Sequence, residues 1–130
     1  MQKKILVDLS ATIIHHGHIR LLKKASKLGR VIVALTSDIQ IKKYKGYKPE
    51  LNFSQRKEIL ESIKYVDKVI KSNWMIDNRF LKKYKIDYIV HGSDNSNKVD
   101  RKKMIIFKRT KGISSSLIRK KSIKIINKNG

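Results

Sequence analysis

Short continuous apolar runs alternate with amphipathic stretches along the chain, and that alternation constrains the fold more than any other feature. KILVDL at Lys4–Leu9 is the first run and VIVAL at 31–35 the second. Both are rich in β-branched residues and read as buried strands. Between them, IRLLKKASKLG places Ile19, Leu22, Ala25 and Leu28 three apart. That is a helical stripe, with Gly29 as its expected stop. Strand, helix, strand implies a parallel pair joined by a crossover.

Residues 37–52 are polar, rich in Lys and Tyr, and hold the only proline, Pro49. A long functional loop is expected there. FSQRKEILESIKYV is expected as a helix capped by Ser54, with Ile59, Ile63 and Val66 on one face. DKVI, DYIVHG and MIIFK read as further strands, MIDNRFLKKYK as a helix and GSDNSNKVD as a loop. ISSSLIRKK enters a terminal helix, and a frayed tail is expected after about residue 122. The expectation is one α/β domain over residues 1–130. Its sheet is Rossmann-like, doubly wound, mostly parallel and five-stranded, with helices on both faces. Ligands of such sheets bind beyond the carboxyl ends of the strands, where the topology switches.

Composition narrows the function. A chain of 130 residues that is 40% hydrophobic suits a single core. With no cysteine there is no disulfide, thiolate metal site or cysteine nucleophile. No apolar run is long enough to cross a bilayer, and the N-terminus lacks a signal-peptide pattern, so a cytoplasmic protein is expected. The net charge of +22 invites a nucleic-acid reading. The basic residues, however, are 25 Lys against 7 Arg, scattered along the chain beside 20 Ile. That bias fits AT-rich coding, and base-reading surfaces favour Arg. A solvated basic surface that attracts small anions is the expectation, not a nucleic-acid groove.

Three constellations carry chemistry. His15-His16-Gly17-His18 lies between the first strand and first helix. His15 and His18 can point into one pocket, Gly17 allows a phosphate close to the backbone, and the helix start offers N–H groups. A three-histidine metal site, with His91 as a further ligand, is the lesser alternative, because no carboxylate has the usual spacing beside them. Arg109-Thr110-Lys111-Gly112-Ile113-Ser114-Ser115-Ser116, with Arg119 beyond, makes a second anion cradle at a helix start. A plain serine cap accounts for that segment about as well. His91-Gly92-Ser93-Asp94 ends the fourth strand, where Asp94 suits either a nucleotide contact or simple turn chemistry.

Together these segments resemble the cytidylyltransferase family of the HxGH nucleotidyltransferase superfamily. The matching stretches are HHGHIRLLKKASKLG, VIVALTSD, FSQRKEILESIKYVDKVI, HGSD and RTKGISSS followed by LIR, in order from Lys4 to Arg119. The likeness is to small bacterial enzymes acting on glycerol 3-phosphate or 2-aminoethylphosphonate, and LSATIIHHGH looks more like the second group. The resemblance implies CMP transfer from CTP to a small phosphorylated or phosphonylated alcohol, with Mg²⁺ accompanying CTP and pyrophosphate released. It implies that His15, His18, Lys45 and Arg119 are catalytic, with Lys42, Lys43 and Lys48 competing with Lys45 for the lysine that bridges the phosphates. It implies nucleotide contacts from Ser10, Ala11, His16, Gly17, Asp94, Arg109, Thr110, Gly112, Ile113, Ser114, Ser115 and Ser116. Lys42, Arg56 and Arg79 fall on the acceptor side, Arg56 being either structural or substrate-adjacent, and no protein-held metal is implied. A homodimer is the family habit. There are departures: Thr12 stands where the family often has an acid, Asn95 where it often has an aromatic, the stretch from Asp94 to Arg109 is short, and a family lysine after Asn73-Trp74 is unmatched, with Arg79 or Lys82 as its replacement. ATP in place of CTP, or an inactive basic binding module, are the alternatives.

Overall fold

The computed structural model describes residues 2–91, 99–107 and 110–129. Its strands are β1 (Lys4–Leu9), β2 (Arg30–Leu35), β3 (Lys68–Lys71), β4 (Tyr88–His91) and β5 (Met104–Ile106). Its helices are α1 (His16–Ser26), α2 (Asp38–Lys45), α3 (Phe53–Glu61), α4 (Asn78–Lys83) and α5 (Ser115–Asn129).

β1 takes the centre of the sheet because both faces of its apolar run find cover. Ile5, Val7 and Leu9 join a cluster with Leu22 and Ala25 of α1 and Leu60 of α3. Leu6 points the other way, into a cluster with Ile32, Ala34, Ile89, and Phe80 and Leu81 of α4. The period of two along β1 thus divides the core into two layers, one per sheet face. The strand order is β3-β2-β1-β4-β5, and every pairing is parallel. The chain runs outward from β1 to β3, then returns to set β4 on the other side of β1. The switch therefore lies between β1 and β4, and the carboxyl end of β1 opens onto it. The expected Rossmann-like α/β fold is the one found.

Four local expectations are corrected. The long loop expected over 37–52 contains α2. Ser37 and Gln40 form a reciprocal capping box at its start, and Gly46 ends it in the left-handed conformation. Polar composition hid this helix, because Ile41 is its one fully buried residue. The cap of α3 is Asn52, paired with Gln55, and not Ser54. That shifts the buried face to Arg56 and Leu60 and leaves Ile59 exposed. Gly29 is not a left-handed helix stop, since α1 ends at Ser26 with an ordinary right-handed Lys27. It is needed because a side chain there would run into the Lys3 carbonyl. The tail expected after about residue 122 is helical through Asn129.

Candidate active site

The site begins where β1 ends. Ala11 is buried and adopts a left-handed backbone with φ of 46°. A residue with a Cβ pays about 1–2 kcal/mol for that conformation, so something must hold the turn. Arg56 does so. It is fully buried, and Nη1 donates to the Ser10 carbonyl at 2.7 Å and the Thr36 carbonyl at 2.9 Å. Its Nε donates to the Leu51 carbonyl at 3.0 Å, and Nη2 meets the Asp38 carboxylate at 2.6 Å. One guanidinium thus staples the ends of β1 and β2 to the start of α2 and the approach to α3. Of its two sequence readings, structural or substrate-adjacent, full burial and these four bonds within the chain favour the structural one.

Beyond Ala11 the histidines organise themselves. His15 caps α1: its Nδ1 accepts from the Gly17 N–H at 3.0 Å. His18 answers, its Nδ1 accepting from the His15 N–H at 3.1 Å. The two rings lie 3.9 Å apart between centroids. An imidazole whose Nδ1 accepts keeps its proton on Nε2 when neutral. Backbone bonds therefore fix both tautomers so that each Nε2–H is a donor. Burial, and then neighbouring His16, push His15 below its ordinary pKa, which favours the neutral ring. His16 itself is exposed.

This corrects two parts of the sequence reading. The Gly17 N–H is taken by His15, and the His18 N–H reaches the His15 carbonyl at 3.1 Å, so these N–H groups do not await an anion. Gly17 is small because the His15 ring lies on it: an added Cβ would sit 2.8 Å from His15 Cε1 and 3.3 Å from Ile113 Cγ2.

The second cradle docks on the first through three contacts. Ile113 packs at Gly17. The Ser115 hydroxyl donates to the Ile13 carbonyl at 2.8 Å and accepts from the Ile13 N–H at 3.2 Å. Arg119, one turn along α5, donates from Nη2 to Thr12 Oγ1 at 2.6 Å. Ser115 was expected to bind nucleotide; its hydroxyl is spent joining α5 to the β1–α1 turn. Ser114 caps the helix, accepting from the Leu117 N–H at 3.1 Å. Ser116 and Gly112 are exposed, and Thr110 is half-buried, at the approach to α5.

Arg119 also reaches residues that the sequence reading did not single out. Its Nε and Nη2 form a two-point contact with the Glu50 carboxylate, Nη2 to Oε1 being 2.8 Å. Its guanidinium carbon lies 4.5 Å from the centre of the Tyr47 ring. The hydrogen bond from Arg119 holds the Glu50 carboxyl below its usual range, and the same bond raises Arg119. The available clue was that Glu50 is the sole acid between Asp38 and Glu58, amid lysines. Lys42 and Lys45 are exposed on α2. Lys48 stands in sequence between Tyr47 and Glu50, closer along the chain to the Arg119 cluster than the expected Lys45. Arg79 is exposed on the first turn of α4, after β3. Asp94 and Arg109 lie outside the described residues. Among the described residues no group of three or more His, Asp or Glu side chains gathers to hold a metal ion.

The arrangement is two segments, the His15–His18 turn and the start of α5, locked together at the carboxyl end of the central strand. The Cytidylyltransferase-like family pattern matches residues 10–121, the stretch that carries both. The chain belongs to the cytidylyltransferase-like family. It is similar to the glycerol-3-phosphate cytidylyltransferase of Staphylococcus aureus (strain NCTC 8325 / PS 47), at 38% identity over 90% of this chain and 92% of that protein. The Bacillus subtilis (strain 168) protein of the same name is 34% identical, over 90% of this chain and 95% of its own length. An ethanolamine-phosphate cytidylyltransferase of Arabidopsis thaliana matches 87% of this chain at 33% identity, but over only 30% of its own length. The fold is shared with a lipopolysaccharide core biosynthesis protein from Thermoplasma volcanium GSS1, with a TM-score of 0.71 and 21% identity over 85% of this chain and 99% of that one. The chain is thus a nucleotidyltransferase, as its motifs imply. Among the described residues no helix is long and apolar enough to cross a membrane.

Proposed function

We propose that the protein transfers CMP from CTP to a small phosphorylated alcohol, with glycerol 3-phosphate as the first candidate. The observation that carries this is the convergence of the His15–His18 turn with the start of α5, through Gly17–Ile113, Ile13–Ser115 and Thr12–Arg119. The names of the relatives supply the nucleotide and the acceptor class.

In the proposed reaction an acceptor phosphate oxygen attacks the α-phosphorus of CTP. The bond from that phosphorus to the bridging oxygen breaks, and the electron pair leaves with pyrophosphate. No covalent protein intermediate is needed. The Nε2–H groups of His15 and His18 donate to oxygens that gain charge in the transition state. Their backbone-fixed tautomers mean that little reorganisation is needed at that moment. Arg119 and the loop lysines, Lys48 ahead of Lys45 and Lys42, hold the phosphates in line. Asp94 and Arg109 keep their proposed place beside the nucleotide, with Thr110, Gly112 and Ser116. Arg79 is proposed on the acceptor side.

Mg²⁺ is proposed to arrive with CTP. The groups gathered here are imidazole N–H, guanidinium and hydroxyl groups, with one carboxylate, Glu50, already paired to Arg119, and such a set suits phosphate better than a hard cation. The ion's chemistry is to offset charge on the departing pyrophosphate. A homodimer is proposed as well. Ile123, Ile125 and Ile126 are exposed on α5 and leave apolar surface for a second copy to cover.

Pyrophosphate release tests the reading. The protein is given Mg²⁺, CTP or ATP, and one of glycerol 3-phosphate, phosphoethanolamine, phosphocholine, 2-aminoethylphosphonate or ribitol 5-phosphate. Release with CTP and a phosphorylated alcohol is expected. Release with ATP alone would reassign the nucleotide, and release with the phosphonate alone would reassign the acceptor.

A further inference from the structure

Arg119 occupies a position where a phosphoryl group is expected, yet a carboxylate of the same chain already holds it. The Glu50 contact uses the Nε and Nη2 edge of the guanidinium at two points. That fork is the one a guanidinium offers to two oxygens of a phosphate. The pair closes a span of 69 residues, from the α2–α3 loop to α5. Only 10 of the 130 residues are acidic. That makes a carboxylate on this arginine a specific feature and not background.

Two observations separate a displaceable occupant from a permanent brace. Arg119 has other supports: the Tyr47 ring lies against its plane, Nη1 meets the Tyr47 hydroxyl at 3.3 Å, and Nη2 meets Thr12 Oγ1 at 2.6 Å. The neighbouring Ser115–Ile13 bonds anchor the helix itself. The guanidinium therefore keeps its position when Glu50 leaves. The Glu50 side chain is 47% exposed, whereas that of Arg119 is 20% exposed. Exposed ion pairs exchange readily with competing anions.

We propose that Glu50 is a resident occupant of a phosphate seat on Arg119, displaced when a substrate phosphoryl group binds. The carboxylate competes with substrate and lowers apparent affinity. Its displacement also removes one of the two ties between that loop and α5, Tyr47 remaining on Arg119, so substrate binding is coupled to the freedom of the Lys48–Glu50 segment. The seat takes a phosphate of CTP or that of the acceptor, two sources of one chemistry. This inference rests on the phosphoryl-transfer reading above.

The test compares wild type with Glu50→Gln, Glu50→Ala, Arg119→Gln and the double variant Glu50→Gln/Arg119→Gln. Initial rates are measured with CTP and glycerol 3-phosphate varied in turn. Both Glu50 variants should lower one KM by about threefold to fivefold, with kcat little changed. The substrate whose KM falls identifies the phosphate that takes the seat. Arg119→Gln should raise that same KM, and adding Glu50→Gln to it should have no further effect. A raised KM in the Glu50 variants, no change in either KM, or a change that persists without Arg119 would overturn the proposal. If the wild type turns over no substrate, the underlying reading fails by itself. Calorimetric titration with CTP and with inorganic phosphate then decides the occupancy question. Tighter binding to Glu50→Gln than to wild type for either anion supports it, and equal or weaker binding for both refutes it.

Discussion

The two halves of the site are built in opposite ways. The His15–His18 turn is assembled from bonds between residues two or three apart, the His18 ring holding the His15 backbone and the His15 ring that of Gly17. The Arg119 cluster joins residues 35 to 107 positions apart, from the β1–α1 turn, the α2–α3 loop and α5. The first half is rigid because it is local. The second exists only while α5 is docked, and its exposed carboxylate leaves it open to exchange. The difference suits the tasks proposed for them: a fixed pair of donors for the transition state, and an adjustable clasp for substrates that come and go.

Arg56 lies beneath both halves, and removing it should have the largest effect. Arg56→Leu takes the guanidinium donors from the Ser10, Thr36 and Leu51 carbonyls and from Asp38 Oδ1, while Asp38 Oδ2 keeps the Phe53 N–H. A loss of about 3–5 kcal/mol is expected in urea unfolding. A loss under about 1 kcal/mol would mean that the staple is not needed. His18→Ala strikes the local half alone. Turnover should fall about 10²- to 10³-fold. Binding of CTP by calorimetry should change far less, with the near-ultraviolet spectrum preserved. An equal loss of binding and turnover would move His18 from transition-state to ground-state duty.

Ser115→Ala attacks the distant half at its anchor. It should cost about 1 kcal/mol of stability. It should also speed amide hydrogen exchange around Ile13 and along the first turns of α5, while exchange at Gly17 stays slow. Uniform acceleration would show that the halves are not separate units.

The smallest effect is in pH. His15 is below its ordinary pKa of about 6.5 in the folded protein, so the unfolded chain binds the extra proton first. Its contribution is full above that value and is lost as pH falls from about 6.5 through the folded pKa. His15→Asn, which keeps a capping side chain, should flatten the fall in urea midpoint between pH 6.5 and 5. Glu50 is also lowered, so its contribution disappears only at still lower pH, as the carboxyl protonates.

The same contrast explains what the sequence could and could not tell. Continuous apolar runs at β1 and β2 stated the parallel core, because a strand buried on both faces needs no alternation. The histidine turn was legible since its partners are neighbours. α2 was missed because its capping box and terminal glycine are local signs, but its near absence of buried residues erased the helical stripe. The packing duties of Ser115 and Gly17 were not legible for another reason. A hydroxyl or a missing side chain at a helix start suits an anion and suits packing equally well, and only the three-dimensional neighbours, Ile13 and the His15 ring, decide. Glu50 carried no motif. Its partner lies 69 residues away, and no local rule relates the two.

The central claim is that the self-capped histidines promote transfer of CMP. It is tested most directly with CTP labelled at the α-phosphorus, glycerol 3-phosphate and Mg²⁺, comparing wild type with His18→Ala at saturating substrate. The account predicts labelled CDP-glycerol from the wild type and a rate at least about a hundredfold lower in the variant. Equal rates would contradict the role given to the histidines. Absence of label transfer by the wild type to any acceptor, with salt-sensitive oligonucleotide binding in its place, would contradict the enzyme itself.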